Sequence, residues 1–199
     1  MIIKFCGIRR IEDVRAVNKT HPDLAGFIMV KGRKRYISPE KVCELKRALD
    51  PSIKAVGVFI DEDIDEVRRL LSEGIIDIAQ LHGNEPDEYI RELKSSTGAT
   101  VIKAIGIRDA DDVRRAEASP ADLVIVDSPG GGTGSTFDWD LLQKIERPYI
   151  LAGGINTDNI TEAVERLHPY GVDVSSGIET DGFKDEDKMK AFMALIKKG

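Results

Sequence analysis

The chain has 199 residues, 41% hydrophobic and 32% charged with both signs interspersed, the balance of a folded protein with one compact core. A formal net charge of −6 gives no overall basic field for nucleic acid, and no apolar run approaches the ~20 residues of a membrane span. One domain over residues 1–199 is therefore expected, with a small-molecule pocket as its place of function.

The opening MIIKFCGIRR carries too short an apolar run for a secretory signal, so a cytoplasmic protein is expected. Ile2 to Phe5 reads as the first strand and Leu24 to Val30 as the second. Ser38 before Pro39 and Glu40 marks a helix start, since a serine caps and a proline fits the first turn. Ala55 to Ile60 is the third strand; Asp61 before Glu62 then opens a helix with Ile64, Val67, Leu70 and Leu71 on one face. Ile76 to Leu81, Thr100 to Ile105 and Leu123 to Val126 are the next strands, and the segment after Ala110 has a thin apolar face of Val113 and Ala116. Tyr149 to Ala152 precedes a helix opened by Asn156 or Thr157, with Ile160, Ala163, Val164 and Leu167 in register. Val172 to Ser175 is the last strand, and Met189, Phe192, Met193 and Ile196 line the closing helix.

The strands are continuous Val/Ile runs rather than alternating ones, as parallel strands covered on both faces require. About eight such βα units close into a barrel without an exposed edge, so an α/β fold with a single (β/α)8 barrel is predicted. An open doubly wound sheet is the alternative, but CGIRRI after the first strand has one glycine where a dinucleotide fingerprint has three.

In such a barrel the chemistry gathers where strands end. Those ends supply Cys6-Gly7, a basic loop with Arg35, Gln80-Leu81-His82, Asp127 before GGGTG, Gly153-Gly154, and Ser175-Ser176-Gly177. The last three loops neighbour one another and are small or glycine-rich, so Gly132, Gly134, Gly153, Gly154, Ser176 and Gly177 suit one phosphate, cradled by backbone N–H groups. The third loop, VFIDED, is acidic and has no cradle, so no second phosphate is expected there.

Cys6 and Asp127 lie across the barrel mouth from one another and form a candidate acid/base pair. Cys43 falls inside a helix and reads as a packing thiol. With neither CxxC spacing nor paired histidines, no metal site and no disulfide is expected. Strand parity puts Lys4 on the inward face with Cys6, Gln80 with His82, and Asp173 with Ser175. An inward Lys4 and Asp173 could pair inside the barrel, either biasing the thiol or serving packing alone. His82, which either orients substrate or holds a loop, and Asp173 complete the substrate-facing candidates. Arg35 is the natural carboxylate clamp, because guanidinium grips carboxylates bidentately, whereas Lys31, Arg33 and Lys34 read as solvated.

Across nearly its whole length the sequence resembles the phosphoribosylanthranilate isomerase family of tryptophan biosynthesis. The motifs are KFCGIRRIEDV, KRYISPE, VGVFID, QLHGNEP, IKAIGI, VDSPGGGTGSTFDW, LAGGINTDNI, and GVDVSSGIE with GFKD. The resemblance implies a cofactor-free Amadori rearrangement. Asp127 would be the general acid on the ribose ring oxygen and Cys6 the base at C2′, with Arg35 on the anthranilate carboxylate. Three rivals remain at this level. One is the sister isomerase of histidine biosynthesis, which carries aspartate at the position of Cys6 and takes two phosphates. The others are a Schiff-base lyase using Lys103 and a non-catalytic sugar-phosphate-binding barrel. A monomer or homodimer is the expected state.

Overall fold

The computed structural model describes residues 1–127 and 139–196. Eight parallel strands close into a barrel in sequence order: β1 (Ile2–Cys6), β2 (Leu24–Ile28), β3 (Lys54–Phe59), β4 (Ile78–Leu81), β5 (Thr100–Gly106), β6 (Leu123–Asp127), β7 (Tyr149–Leu151) and β8 (Gly171–Val174). Around them lie α1 (Ile11–Thr20), α2 (Pro39–Lys46), α3 (Ile64–Ser72), α4 (Asp87–Thr97), α5 (Ala110–Ala118), α6 (Ile160–Leu167) and α7 (Glu186–Ile196), with a 3-10 helix at Trp139–Lys144 following β6. A hairpin of β9 (Glu179–Thr180) and β10 (Phe183–Lys184) stands between β8 and α7. Among the described residues no helix is long and apolar enough to cross a membrane.

The predicted barrel is thus present. Its strands read as continuous apolar runs because each buries two faces. Outward residues such as Phe5, Phe27, Phe59 and Val126 join the helices in one core, while Leu24, Val56, Ile78, Ile102, Ile125 and Ile150 fill the barrel interior. Burying side chains of this kind contributes about 1.5–3 kcal/mol each. Along the strands the interior turns from apolar to polar: above the aliphatic layer come Lys4, Cys6, Gln80 and Asp127, all buried. Closure pairs Lys4 with Asp173 across β1 and β8 and Cys6 with Gly26 across β1 and β2.

Several predicted boundaries move, each for a local reason. The second strand ends at Ile28, because Val30 accepts a turn hydrogen bond from Arg33. The fourth begins at Ile78, since the Ile76 amide is spent on Leu70 at the end of α3. Ser38 caps α2 as expected, accepting from the Lys41 amide at 3.4 Å. The cap of α3, however, is Asp63, whose carboxylate accepts from the Asp65 amide at 2.8 Å. Asp61 adopts a left-handed φ of 49° and accepts instead from the Asn84 amide at 2.6 Å, joining two loops at the barrel mouth. Likewise α6 starts after Asn159, because Asn156 belongs to a turn in which its carboxamide accepts from the Asp158 amide at 2.8 Å. The final strand spans Gly171–Val174, leaving Ser175 to the loop.

Candidate active site

Cys6 and Asp127 are the last residues of β1 and β6, and both are buried. Beside Cys6, Lys4 points into the barrel as parity required. Its fully buried ammonium donates to both carboxylate oxygens of Asp173, at 3.0 and 2.9 Å. Room for the two side chains comes from β2: a Cβ on Gly26 would stand 2.8 Å from the Cys6 Sγ and 3.0 Å from the Lys4 Nζ. For Lys4, burial pulls the pKa down, but the Asp173 carboxylate and the adjacent Cys6 outweigh it and the net direction is up. Burial pushes the Cys6 thiol up; the Lys4 ammonium opposes this, Asp173 reinforces it, and Lys184 opposes it again. The net direction is up, so the thiol favours its protonated form at neutral pH and must lose its proton to act as a base. Cys43, in α2, is half-buried, and both cysteines are free.

His82 follows β4 and brings its Nε2 to 3.5 Å from the Asp127 carboxylate, while its Nδ1 lies 3.4 Å from the Gln80 carboxamide nitrogen. The loop that carries it is pinned. Glu85 accepts from the amides of Asp61 at 2.8 Å and Gly83 at 3.0 Å, and from the Lys103 ammonium at 2.6 Å. Lys103 donates also to the Gly83 carbonyl at 2.7 Å. This engagement makes Lys103 a clamp on the His82 loop and argues against a Schiff-base nucleophile. Buried Gln80 Oε1 has no hydrogen-bond partner among the described residues, and a buried acceptor of this kind is costly unless a ligand satisfies it.

At the far side of the mouth, Gly153 and Gly154 adopt left-handed φ values of 86° and 68°. Their loop packs directly on the one after β8: a Cβ on Gly177 would lie 2.1 Å from the Ile155 carbonyl oxygen, and Asn156 bridges Gly177. Ser176 is exposed beside them. These four predicted cradle residues are therefore together, whereas Gly132 and Gly134 lie outside the described residues. No group of three or more His, Cys, Asp or Glu among the described residues is placed to hold a metal ion.

Arg35 reaches the Cys6 side of the mouth, where its guanidinium donates to both oxygens of Glu179 at 2.8 and 2.7 Å. Lys184, buried, donates to the same carboxylate at 2.8 Å and to the Ser175 carbonyl at 2.8 Å. Burial works against the charge of Glu179, but Arg35 and Lys184 outweigh it and hold its carboxyl at about 2. Lys184 itself is lowered, burial outweighing Glu179. In the sequence Glu179 and Lys184 stand only as letters of the motifs GVDVSSGIE and GFKD. The signal was available: Asp181-Gly182, with φ of 52° and 77°, is the two-residue turn that closes a hairpin and so brings the two charges together.

Gly7 is required twice over. Its φ is 85°, and a Cβ there would stand 2.7 Å from the Arg35 Cδ. Gly7→Ala is expected to destabilise the protein by about 1–3 kcal/mol through backbone strain and to displace Arg35. A thermal melt and a ligand titration check both effects, and unchanged values for the two would refute the assignment.

Residues 3–194 match the family described as N-(5'phosphoribosyl)anthranilate (PRA) isomerase. The chain belongs to this family. It is 46% identical over 204 residues to the N-(5'-phosphoribosyl)anthranilate isomerase of Clostridium acetobutylicum, covering 98% of each chain. It is also similar to the phosphoribosyl anthranilate isomerase structure from Thermotoga maritima, with a TM-score of 0.90 and 35% identity over all of both chains. A further family structure, TM-score 0.88 and 33% identity over all of both chains, was solved in complex with reduced 1-(o-carboxyphenylamino)-1-deoxyribulose 5-phosphate. Membership bears out the resemblance carried by the motifs and sets aside the rivals outside the family.

Proposed function

We propose that this protein converts N-(5'-phosphoribosyl)anthranilate to 1-(o-carboxyphenylamino)-1-deoxyribulose 5-phosphate, with Asp127 as general acid and Cys6 as general base. The observation that carries this reading is the placement of the two groups. Both end barrel strands at one buried mouth, between paired glycine loops on the β7–β8 side and a guanidinium on the β2 side. A substrate with phosphate at one end and aryl carboxylate at the other fits that span.

In the reaction Asp127 gives a proton to the ribose ring oxygen as the bond from that oxygen to C1′ breaks, and the anilino nitrogen lone pair forms the C1′=N bond. The Cys6 thiolate takes the C2′ proton, and the released electron pair forms C1′=C2′ while the iminium electrons return to nitrogen. The enolamine then becomes the ketone, C1′ gaining a proton as the 2′-hydroxyl loses one. The sequence is redox-neutral and proceeds by proton transfers alone. Gly153, Gly154, Ser176 and Gly177, with Gly132 and Gly134, serve the phosphate, and Arg35 the carboxylate. The Lys4 ammonium favours the thiolate form of Cys6, with Asp173 compensating its charge, and His82 orients Asp127. Gln80 Oε1 is suited to accept from a substrate hydroxyl or N–H.

The test is direct. The purified protein should consume N-(5'-phosphoribosyl)anthranilate, read as loss of the anthranilate fluorescence. Substrate left unchanged by folded protein would refute the reading.

A further inference from the structure

We propose that Glu179 is a positioning residue that aims the guanidinium of Arg35 and so sets the preference of the site for a ligand bearing an aryl carboxylate. This rests on the reading that Arg35 meets that carboxylate. An arginine on a loop has many rotamers, and fixing it costs conformational entropy that a binding site either supplies beforehand or loses from its affinity.

Here it is supplied beforehand. Glu179 occupies the Nε and Nη2 of Arg35 at 2.8 and 2.7 Å, and the side chains are only 8% and 17% exposed respectively. Nη1 makes no hydrogen bond among the described residues, so that corner of the fork remains for a second carboxylate. The stem is confined as well, because the Arg35 Cδ packs against Gly7, 2.7 Å from where a Cβ on that glycine would fall.

Glu179 is itself held by two devices. Lys184 donates to its Oε1 from a side chain that is 1% exposed, and the compact Asp181-Gly182 turn fixes the hairpin. Arg9 then ties this hairpin to the loop of Arg35, donating both to the Gly182 carbonyl and, at 3.2 Å, to the Lys34 carbonyl. The same guanidinium lies 4.8 Å from the Phe183 ring centre. Glu179 and Arg35 thus sit on two loops locked to one another.

The opposite role is chemically possible: Glu179 could occupy Arg35 in competition with the substrate carboxylate. The two roles predict opposite signs. The measurement is the dissociation constant of two ligands, reduced 1-(o-carboxyphenylamino)-1-deoxyribulose 5-phosphate and the phenylamino analogue without the carboxylate. Glu179→Gln is expected to weaken the carboxylated ligand roughly tenfold, the scale of a lost charge-assisted interaction, and the analogue by less than about twofold. Should the single variant fail to fold with Lys184 left buried and unpaired, Glu179→Gln with Lys184→Met removes both charges and is measured in the same way. Equal loss for both ligands, no loss, or tighter binding of the carboxylated one overturns the proposal. Arg35→Ala separates the two levels. If it leaves the ligand preference intact, the reading of Arg35 fails; if it erases the preference while Glu179→Gln does not, only the role of Glu179 fails.

Discussion

Cys6→Ser is expected to lower kcat roughly 10³-fold, within the range that general base catalysis supplies, while the barrel stays folded and binds reduced product as before. Serine keeps the size of the side chain and its hydrogen-bonding capacity but not its acidity. A thiol ionises at ~8.5, close enough to working pH for a minority thiolate, whereas an alcohol supplies almost no alkoxide. Burial raises the Cys6 thiol further, and the Lys4 ammonium works against that rise. The site therefore trades a smaller thiolate population for a stronger base, since basicity grows with pKa. The sign of the pH dependence follows. On the proposed mechanism the wild-type reaction needs Cys6 deprotonated, so its rate should climb as pH rises toward the titration of that raised thiol. Without the thiol that rise is lost, so the residual activity of Cys6→Ser should not climb with pH where the wild type does. Rates of the variant across pH check this, and a variant that turns over at the wild-type rate removes Cys6 from the mechanism.

How much of this was legible beforehand can be judged from particular residues. The barrel was, because each strand buries two faces and has to be written in Val and Ile. The Lys4–Asp173 pair was also legible, although 169 positions separate its members. Strand parity places both inward, and adjacency of the first and last strands follows from closure. What resisted reading was the company a charge keeps. Arg35 reads from the sequence as a candidate carboxylate clamp, but the carboxylate it meets in the protein, Glu179, lies 144 positions away, on a hairpin too short to register in strand-length patterns. Asp61 and Asp63 both satisfy the rule for a helix cap, and sequence alone does not say which of two neighbouring carboxylates turns toward the helix. The part played by Gly26 was invisible for a different reason. It is defined by two side chains of the neighbouring strand that would collide with a Cβ, a constraint set in three dimensions.

Asp127→Asn is expected to match or exceed the loss in Cys6→Ser, again roughly 10³-fold in kcat, with binding of reduced product close to wild type. The carboxamide is isosteric, so the end of β6 and its pairing with Gly106 should persist. What disappears is a proton that can be given away. Opening the ribose ring expels an oxygen which, unprotonated, leaves as an alkoxide, and lowering that barrier is the work assigned to the acid. His82, 3.5 Å away, sits on a loop pinned by Glu85 and Lys103 and is suited to orient the carboxyl group rather than to replace it. His82→Asn should therefore cost much less than Asp127→Asn. The two variants also differ in their expected pH signatures. With the acid gone the thiolate requirement is left, and the residual activity of Asp127→Asn should still climb as pH rises toward the titration of Cys6. An asparagine variant that turns over at the wild-type rate would assign the acid to another group, and His82, 3.5 Å away, would then be the first to test.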